Sequence, residues 1–363
     1  MNLNKELDNI LKFDKIFSYQ NKEKNIFLTK YFNLLTQFHY KKSKSYKKIC
    51  DKFNYNLKKK YKISELPFLP VSIFKNLNLK SINDKDVSRI MYSSGTTGTK
   101  RSKIYLNINN SKNQMRALNK LFYEMEELNN QRLPMLIIDK NILSDNKNYF
   151  SASAAAVTGF SIFSSSRTYA CNNDMSLNLE ILKSFLKKYK GEKKLIFGLT
   201  SIIWENLLNN KKLKNIKLDF ENSILLHGGG WKKLEKKKIT NSFFKSKIKE
   251  MLNIDTTINY YGMIEQTGSI FFECKNCNNF ITSIYSDIII RDKYLNDIGF
   301  NKKGMIQLIS VLPTSYPGHN ILTEDVGMIL GEDDCSCGKM GKRFKVYGRL
   351  KKSEVRGCSD AIS

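Results

Sequence analysis

Ile90-Met91-Tyr92-Ser93-Ser94-Gly95-Thr96-Thr97-Gly98-Thr99-Lys100-Arg101-Ser102-Lys103-Ile104-Tyr105-Leu106 places a short apolar run on each side of a Ser/Thr/Gly segment. The pattern predicts strand, loop, strand. Gly95 and Gly98 let the backbone fold tightly and turn its N–H groups toward an anion. Ser93, Ser94, Thr96 and Thr97 add hydroxyl donors, and Lys100 and Arg101 add charge. A polyphosphate is the natural guest. The loop is not a G-x-x-x-x-G-K motif, because Lys100 stands where that motif needs glycine. Taken alone, such a Ser/Thr/Gly loop is more often a plain turn.

Downstream of this segment, short apolar runs alternate with amphipathic stretches. The runs are Met135 to Asp139, Lys194 to Gly198, Ser223 to His227 and Thr256 to Tyr260, and the stretches between them cover 111–130, 176–190 and 201–212. Such alternation predicts an α/β architecture with parallel strands. From about 270 to 347 the strands become closely spaced, with Ile288-Ile289-Ile290, Gly304 to Ile309 and Gly327 to Leu330, which predicts a smaller β-rich subdomain. Upstream, residues 1–62 carry apolar side chains at helical spacing, among them Ile26, Leu28, Tyr31, Leu34, Leu35 and Phe38. Pro67 and Pro70 end that region in an extended connector.

The 363 residues are enough for a substantial core. No apolar run is long enough to span a bilayer, and Met1-Asn2-Leu3-Asn4-Lys5-Glu6 lacks the apolar core of a signal peptide. A soluble cytoplasmic protein without a membrane span is expected. The formal charge of +27 raises nucleic-acid binding, but only nine of the 61 basic residues are Arg. Bidentate phosphate reading favours Arg over Lys, and the Lys, Asn and Ile are spread throughout, so no nucleic-acid partner is expected.

Three further segments follow the loop in order: Tyr261-Gly262-Met263-Ile264-Glu265, Thr323-Glu324-Asp325 and Gly348-Arg349-Leu350-Lys351. Together the four resemble the phosphate loop, the Y-G-x-T-E motif, the T-G-D motif and the hinge of the adenylate-forming superfamily of acyl-CoA synthetases. Ile224 to Lys233, the connector Leu66 to Lys75 and the ending Val355-Arg356-Gly357-Cys358 narrow the resemblance to the LuxE-type acyl-protein synthetases, from about residue 62 onward. Ile264 and Glu324 depart from the superfamily, which usually has Thr and Gly there.

The resemblance implies the large N-terminal domain of an adenylate-forming enzyme with a β-rich subdomain. The expected divisions are 1–62 helical, 63–270 α/β adenylation core, 271–347 β-rich, and 348–363 hinge and acyl-accepting tail. The sequence ends twelve residues after Lys351, so the usual mobile C-terminal domain is expected to be lacking. ATP and Mg²⁺ are the implied cofactors. Ser93, Ser94, Gly95, Thr96, Thr97, Gly98 and Lys100 would hold the phosphates, and Gly228, Gly229 and Gly230 the adenine edge. Tyr261 and Arg349 belong to the same nucleotide set, Glu265 would hold magnesium and Asp325 the ribose hydroxyls. Each role suits its chemistry, since carboxylates are hard magnesium ligands and accept hydroxyl hydrogen bonds. Glu265 also reads as a helix-start carboxylate and Asp325 as a turn former. The implied reaction joins a fatty or other carboxylic acid to AMP and passes the acyl group to Cys358, for delivery to an acyl-CoA reductase-like partner. Arg356, two residues away, would favour the Cys358 thiolate. An exposed, unreactive tail cysteine is the alternative.

Of the seven cysteines, five lie after residue 270. Cys274-Lys275-Asn276-Cys277 and Cys335-Ser336-Cys337-Gly338 offer C-x2-C and C-x-C knuckles, which suit a structural tetrahedral zinc. The same four also read as reduced thiols or a redox set. Ser151 to Phe160 is small and uncharged, fit for an acyl channel or for close helix packing. His227, beside three glycines, reads as a substrate contact or a supporting hydrogen bond. Two competing functions remain: an acid:CoA ligase of the phenylacetate type, and a non-catalytic scaffold.

Overall fold

The structure, a computed structural model, describes residues 3–93, 100–126, 131–141, 152–213, 216, 218–230 and 239–350. Two compact units emerge: Met1–Glu126 with Gly262–Ser363, and Glu127–Tyr261. The boundaries at 62, 270 and 347 follow composition and motif order, whereas compactness follows packing, which joins the start of the chain to its last third.

The N-terminal region is helical: α1 (Leu3–Lys12), α2 (Asn21–Lys42) and α3 (Lys44–Lys52). Helix α2 buries Leu28, Tyr31, Phe32, Leu35, Thr36 and His39, at steps of three and four that put them on one face. Ile26 falls off that face and is 73% exposed, so it is not part of the core stripe expected for it. Ser43 forms the α2–α3 joint by itself: its N–H donates to the His39 carbonyl and its side chain accepts from the Tyr46 N–H. The Pro67–Pro70 connector then runs extended, as β1 (Leu69–Pro70). Next come the antiparallel hairpin β2 (Arg89–Tyr92) and β3 (Lys103–Leu106) and the long helix α4 (Ile108–Glu126).

The second unit begins with β4 (Leu133–Ile137), α5 (Ala152–Phe160) and β5 (Ser164–Tyr169), followed by α6 (Leu179–Lys188) and β6 (Lys194–Leu199). A short α7 (Thr200–Ile203) passes directly into a π-helical turn, Trp204–Leu208. Then follow β7 (Ser223–Gly228), α8 (Asn241–Leu252) and β8 (Thr256–Gly262). Strands β5, β4, β6, β7 and β8 lie side by side in that order, all parallel. Strands β4 and β7 are buried along their whole length, which explains why they read as continuous apolar runs. The sequence pattern missed β5, because Ser164-Ser165-Ser166-Arg167-Thr168-Tyr169 is a polar edge strand with no apolar periodicity. Helices α6 and α8 pack Leu182, Phe185, Phe244 and Ile248 against Leu136, Ile196 and Leu225 of the sheet.

The chain returns to the first unit with β9 (Ile270–Phe272), β10 (Phe280–Ile281), β11 (Ser286–Arg291), β12 (Gly304–Ser310), β13 (Asn320–Glu332) and β14 (Lys342–Arg349). The expected β-rich region is an antiparallel sheet in the order β10-β14-β13-β12-β11, with β1 added in parallel to β13. Long-range polar contacts bind α2 to it. Tyr31 donates to the Val311 carbonyl at 2.9 Å, and buried Lys24 donates to Thr282 Oγ1 at 3.2 Å. Lys24 lies near the Asp287–Lys342 ion pair, whose separation is 3.0 Å.

Candidate active site

Strands β2 and β3 pair residue for residue, Arg89 with Leu106 through Tyr92 with Lys103. Beyond them the Ser93 N–H donates to the Ser102 carbonyl at 3.2 Å, and the Ser102 N–H donates to Ser93 Oγ at 2.9 Å. The strand, loop, strand expectation therefore holds at both ends, and these bonds close the neck of the loop. Ser94, Gly95, Thr96, Thr97, Gly98 and Thr99 lie outside the described residues, while Lys100 is exposed.

Glu265 sits on a 3₁₀ turn, Ile264–Gln266, just after β8. Its neighbour Gln266 is fully buried and donates from Nε2 to the Leu308 and Gly318 carbonyls, at 3.2 and 3.1 Å. Thr267 Oγ1 closes the turn by donating to the Ile264 carbonyl at 2.5 Å. At Gly262, a Cβ would stand 2.6 Å from Ile270 Cδ1, so glycine lets the chain pass close to β9. Glu265 is 7% exposed. Burial pushes its pKa up, while the Ser102 hydroxyl and the Lys75 and Arg349 cations pull it down. Such a carboxylate, held in place and short of solvent, fits a hard divalent cation, which would offset the cost of its charge.

Asp325 and Arg349 lie directly opposite each other on β13 and β14. The Thr-Glu-Asp and Gly-Arg-Leu segments, separate in sequence, are thus cross-strand neighbours. Arg349 Nε is 3.8 Å from Asp325 Oδ1, with the arginine largely exposed and the aspartate mostly covered. Beside them the register shifts between Val326 and Gly327, opposite Gly348, whose φ of +115° few other residues adopt. Glu324, in the position usual for Gly, accepts a hydrogen bond at its carbonyl from the Leu350 N–H at 2.8 Å. That contact uses backbone only, so the substitution leaves the pairing intact. Ile264, in the position usual for Thr, is buried in the turn.

In the second unit, Gly228 ends β7 and a Cβ there would lie 2.5 to 2.7 Å from the Tyr260 ring. Gly229 has φ +80°, and a Cβ on Gly230 would meet nothing within 4 Å. His227 is buried. Its Nδ1 is 2.9 Å from Thr200 Oγ1, which also donates to the Gly228 carbonyl at 3.1 Å. Desolvation lowers its pKa to about 3, with Lys245 adding to the effect, so the ring is neutral near pH 7. The histidine thus supports the glycine strand end through Thr200. Helix α5 carries the small-residue segment and packs Phe160 against Phe197 and Tyr260. The chain passes between the units at Tyr261–Gly262, within a single motif.

Residues 2–363 match the family described as acyl-protein synthetase, LuxE. The chain belongs to the LuxE acyl-protein synthetase family. Two relatives are long-chain-fatty-acid–luciferin-component ligases. The one from Vibrio harveyi is 19% identical over 90% of this chain and 85% of its own length, and the one from Aliivibrio fischeri is 21% identical over 89% and 84%. Among solved structures, 2-hydroxyisobutyryl-CoA ligase with 2-HIB-AMP and CoA, in an open conformation, superposes with a TM-score of 0.72. It is 9% identical and is matched over 92% of this chain and 72% of that one. The same ligase in its post-adenylation state gives 0.67 at 10% identity, over 92% and 69%. At that identity the likeness establishes the fold, that of adenylate-forming ligases. As a LuxE synthetase the chain is an enzyme, an ATP-dependent ligase that forms an acyl-adenylate.

Among the residues assigned from sequence, the LuxE fold brings Glu265, Asp325 and Arg349 into one neighbourhood of the first unit, together with the neck of the Ser93–Lys100 loop. Gly228, Gly229, Gly230 and Tyr261 belong to the second unit. Sequence reading missed Lys75 and Ser102 beside Glu265, and Gln266, which anchors its turn. Only Gln266 left a signal, as an uncharged polar residue directly after the motif glutamate. Cys274, Cys277 and Cys335 converge, with sulfurs within 4.8 Å of one another. Cys358 lies outside the described residues. No helix among the described residues is long and apolar enough to cross a membrane.

Proposed function

We propose that this chain activates a fatty acid with ATP and carries the acyl group on its own Cys358 to a partner acyl reductase. The observation that carries the adenylation half is the convergence of Glu265, Asp325 and Arg349 beside the pinned neck of the Ser93–Lys100 loop. The names of the two luciferin-component ligases support a long-chain fatty acid as the substrate class. In the first step a carboxylate oxygen attacks the α-phosphorus of ATP, the α–β anhydride bond breaks, and pyrophosphate leaves. No general base is needed, because the acid is already ionised at neutral pH. In the second step the Cys358 thiolate attacks the acyl carbonyl, AMP leaves, and a thioester forms.

Ser93, Ser94, Gly95, Thr96, Thr97, Gly98 and Lys100 hold the phosphates in this reading. Gly228, Gly229 and Gly230 border the adenine, Tyr261 adjoins the nucleotide, and Asp325, steadied by Arg349, receives the ribose hydroxyls. Glu265 holds magnesium. When bound, that ion neutralises charge on the phosphate oxygens. Arg356 favours the thiolate of Cys358 two residues on.

The test is to incubate the protein with ATP, Mg²⁺ and a labelled long-chain fatty acid, then read its intact mass before and after hydroxylamine. A hydroxylamine-sensitive acyl adduct is expected on the wild type and is absent from Cys358→Ser, which keeps pyrophosphate exchange. Formation of acyl-CoA on adding CoA, with no protein adduct, overturns the relay in favour of a CoA ligase. Absence of pyrophosphate exchange with every acid and with the partner present removes adenylation as well.

A further inference from the structure

Four of the cysteines left aside by the proposed function lie on two turns of the first unit. One turn joins β9 to β10 and the other joins β13 to β14. Cys274 and Cys335 are buried, and Cys277 and Cys337 are partly exposed. Cys274 Sγ lies 3.6 Å from Cys335 Sγ and 3.4 Å from Cys337 Sγ, and Cys335 and Cys337 are 3.1 Å apart. Cys277 completes a set with Cys274 and Cys335 whose sulfurs all fall within 4.8 Å. A tetrahedron of thiolates at about 2.3 Å from zinc has sulfur–sulfur edges of about 3.8 Å. The three spacings of 3.1 to 3.6 Å lie just inside that edge, and Cys277, grouped within 4.8 Å of Cys274 and Cys335 but not of Cys337, would close onto an ion by a small movement of its turn. The spacings are far longer than the roughly 2.05 Å of a disulfide bond, and too short to enclose a multi-iron cluster.

The backbone around the sulfurs is arranged to match. In each knuckle the second cysteine is followed at once by a left-handed residue, Asn278 (φ +51°) after Cys277 and Gly338 (φ +77°) after Cys337. That turn curls the chain around its own sulfurs. The Gly338 N–H donates to the Cys335 carbonyl at 2.9 Å and the Asn278 N–H to the Cys274 carbonyl at 2.8 Å. Further amides face the sulfurs: those of Asn276 and Cys277 toward Cys274, that of Asn279 toward Cys277 and that of Cys337 toward Cys335. Amide donors on sulfur are the contacts that a metal-bound thiolate accepts. Zinc with four thiolates carries a net double negative charge. The Arg343 guanidinium acts on both Cys277 and Cys335 and is fixed by two 2.6 Å bonds to Asp334.

We infer that Cys274, Cys277, Cys335 and Cys337 bind one structural zinc ion, which clamps the β9–β10 turn to the β13–β14 turn. The clamp reaches further. In the second turn, the Met340 N–H donates to the Phe17 carbonyl at 2.7 Å, and Asp333 Oδ2 accepts from the Asn21 N–H at 2.8 Å. The zinc thereby fixes the seat of the segment leading into α2. With every ligand supplied by the chain and no open position, it takes no part in the reaction.

Protein grown with zinc, iron, cobalt and nickel all present, and purified without a metal-affinity step, is to be analysed by elemental mass spectrometry and native mass spectrometry. About one zinc per chain is expected, retained on dialysis against EDTA and released as a mercurial titrates the thiols. Cobalt(II) put in its place should show the intense visible bands of a tetrahedral four-thiolate site, whereas fewer sulfurs weaken and shift them. Cys277→Ser and Cys337→Ser, on the exposed side, should lose zinc, while Cys50→Ser, a buried cysteine of α3, should keep it. On zinc removal, amide exchange should quicken at 273–281, 333–345 and 16–24 and leave the second unit unchanged. Folded wild-type protein with these four thiols free and no metal, with a disulfide among them, or with iron in place of zinc overturns the inference. These wild-type readouts decide even where a cysteine variant fails to fold.

Discussion

Glu265 places a carboxylate where water is scarce, and the consequences for stability and for activity run in opposite directions. Its pKa is raised in the fold, chiefly by burial. A carboxyl raised above its unfolded value favours the fold while protonated, so this contribution is lost as pH rises through the carboxylate range. At pH 7 without magnesium, Glu265→Gln should therefore melt at or above the wild-type temperature. Pyrophosphate exchange should fall at least about 100-fold, the scale of losing one placed electrostatic group. Magnesium with ATP should raise the melting temperature of the wild type more than that of the variant. A variant that keeps wild-type exchange would remove Glu265 from the magnesium site. Residue identity announced this position through the motif. The high burial, and the approach of Lys75 and Ser102, depended on segments far away in sequence.

At the scale of elements, the end of β7 separates a glycine held against a ring from one that faces open space. Gly228→Ala drives a Cβ to 2.5 Å from the Tyr260 ring, an overpacking that should cost about 1 to 3 kcal/mol. Gly230→Ala meets nothing within 4 Å and should change stability by no more than about 0.5 kcal/mol, while raising the KM for ATP if this edge borders adenine. Denaturant melts and ATP titrations of the two variants check the contrast. A stable Gly230→Ala with unchanged KM would remove the triplet from the nucleotide site. The buried strands around this point, β4, β6 and β7, were legible because both faces are covered and each is built on a run of apolar residues. Strand β5 was not, since an edge strand built of Ser, Arg and Thr carries no burial pattern for the eye to follow.

Over the whole molecule, the three histidines make a shared prediction. His39 and His227 are lowered to about 3 and His319 well below its ordinary value, all chiefly by desolvation. His39 stacks on His319 at 5.0 Å between centroids, its Nδ1 2.7 Å from Ser81 Oγ and its Nε2 3.0 Å from the Pro313 carbonyl. The unfolded chain protonates each ring near pH 6.5, while the fold keeps His39 and His227 neutral down to about 3. Stability is therefore full above pH 6.5 and falls as pH drops below it, by up to about 1.4 kcal/mol per pH unit for each histidine. Urea midpoints between pH 7 and 5 should show the fall, and His227→Gln should flatten it. An equal slope in the variant would mean that His227 is protonated inside the fold.

The order of residues by itself determined the α/β body, the β-rich end, the motif set and the cysteine spacing, because strand pattern, turn residues and motif order are properties of near neighbours along the chain. Only the tertiary structure decided that the first 126 residues fold with those after 261, since that union depends on α2 burying Lys24 and His39 against Thr282 and Pro313, 258 and 274 positions away. It alone set Asp325 opposite Arg349 and brought the two cysteine pairs together. Long-range closure of this kind rests on sheet register and on the matching of buried polar groups, and neither is encoded in any short window of sequence.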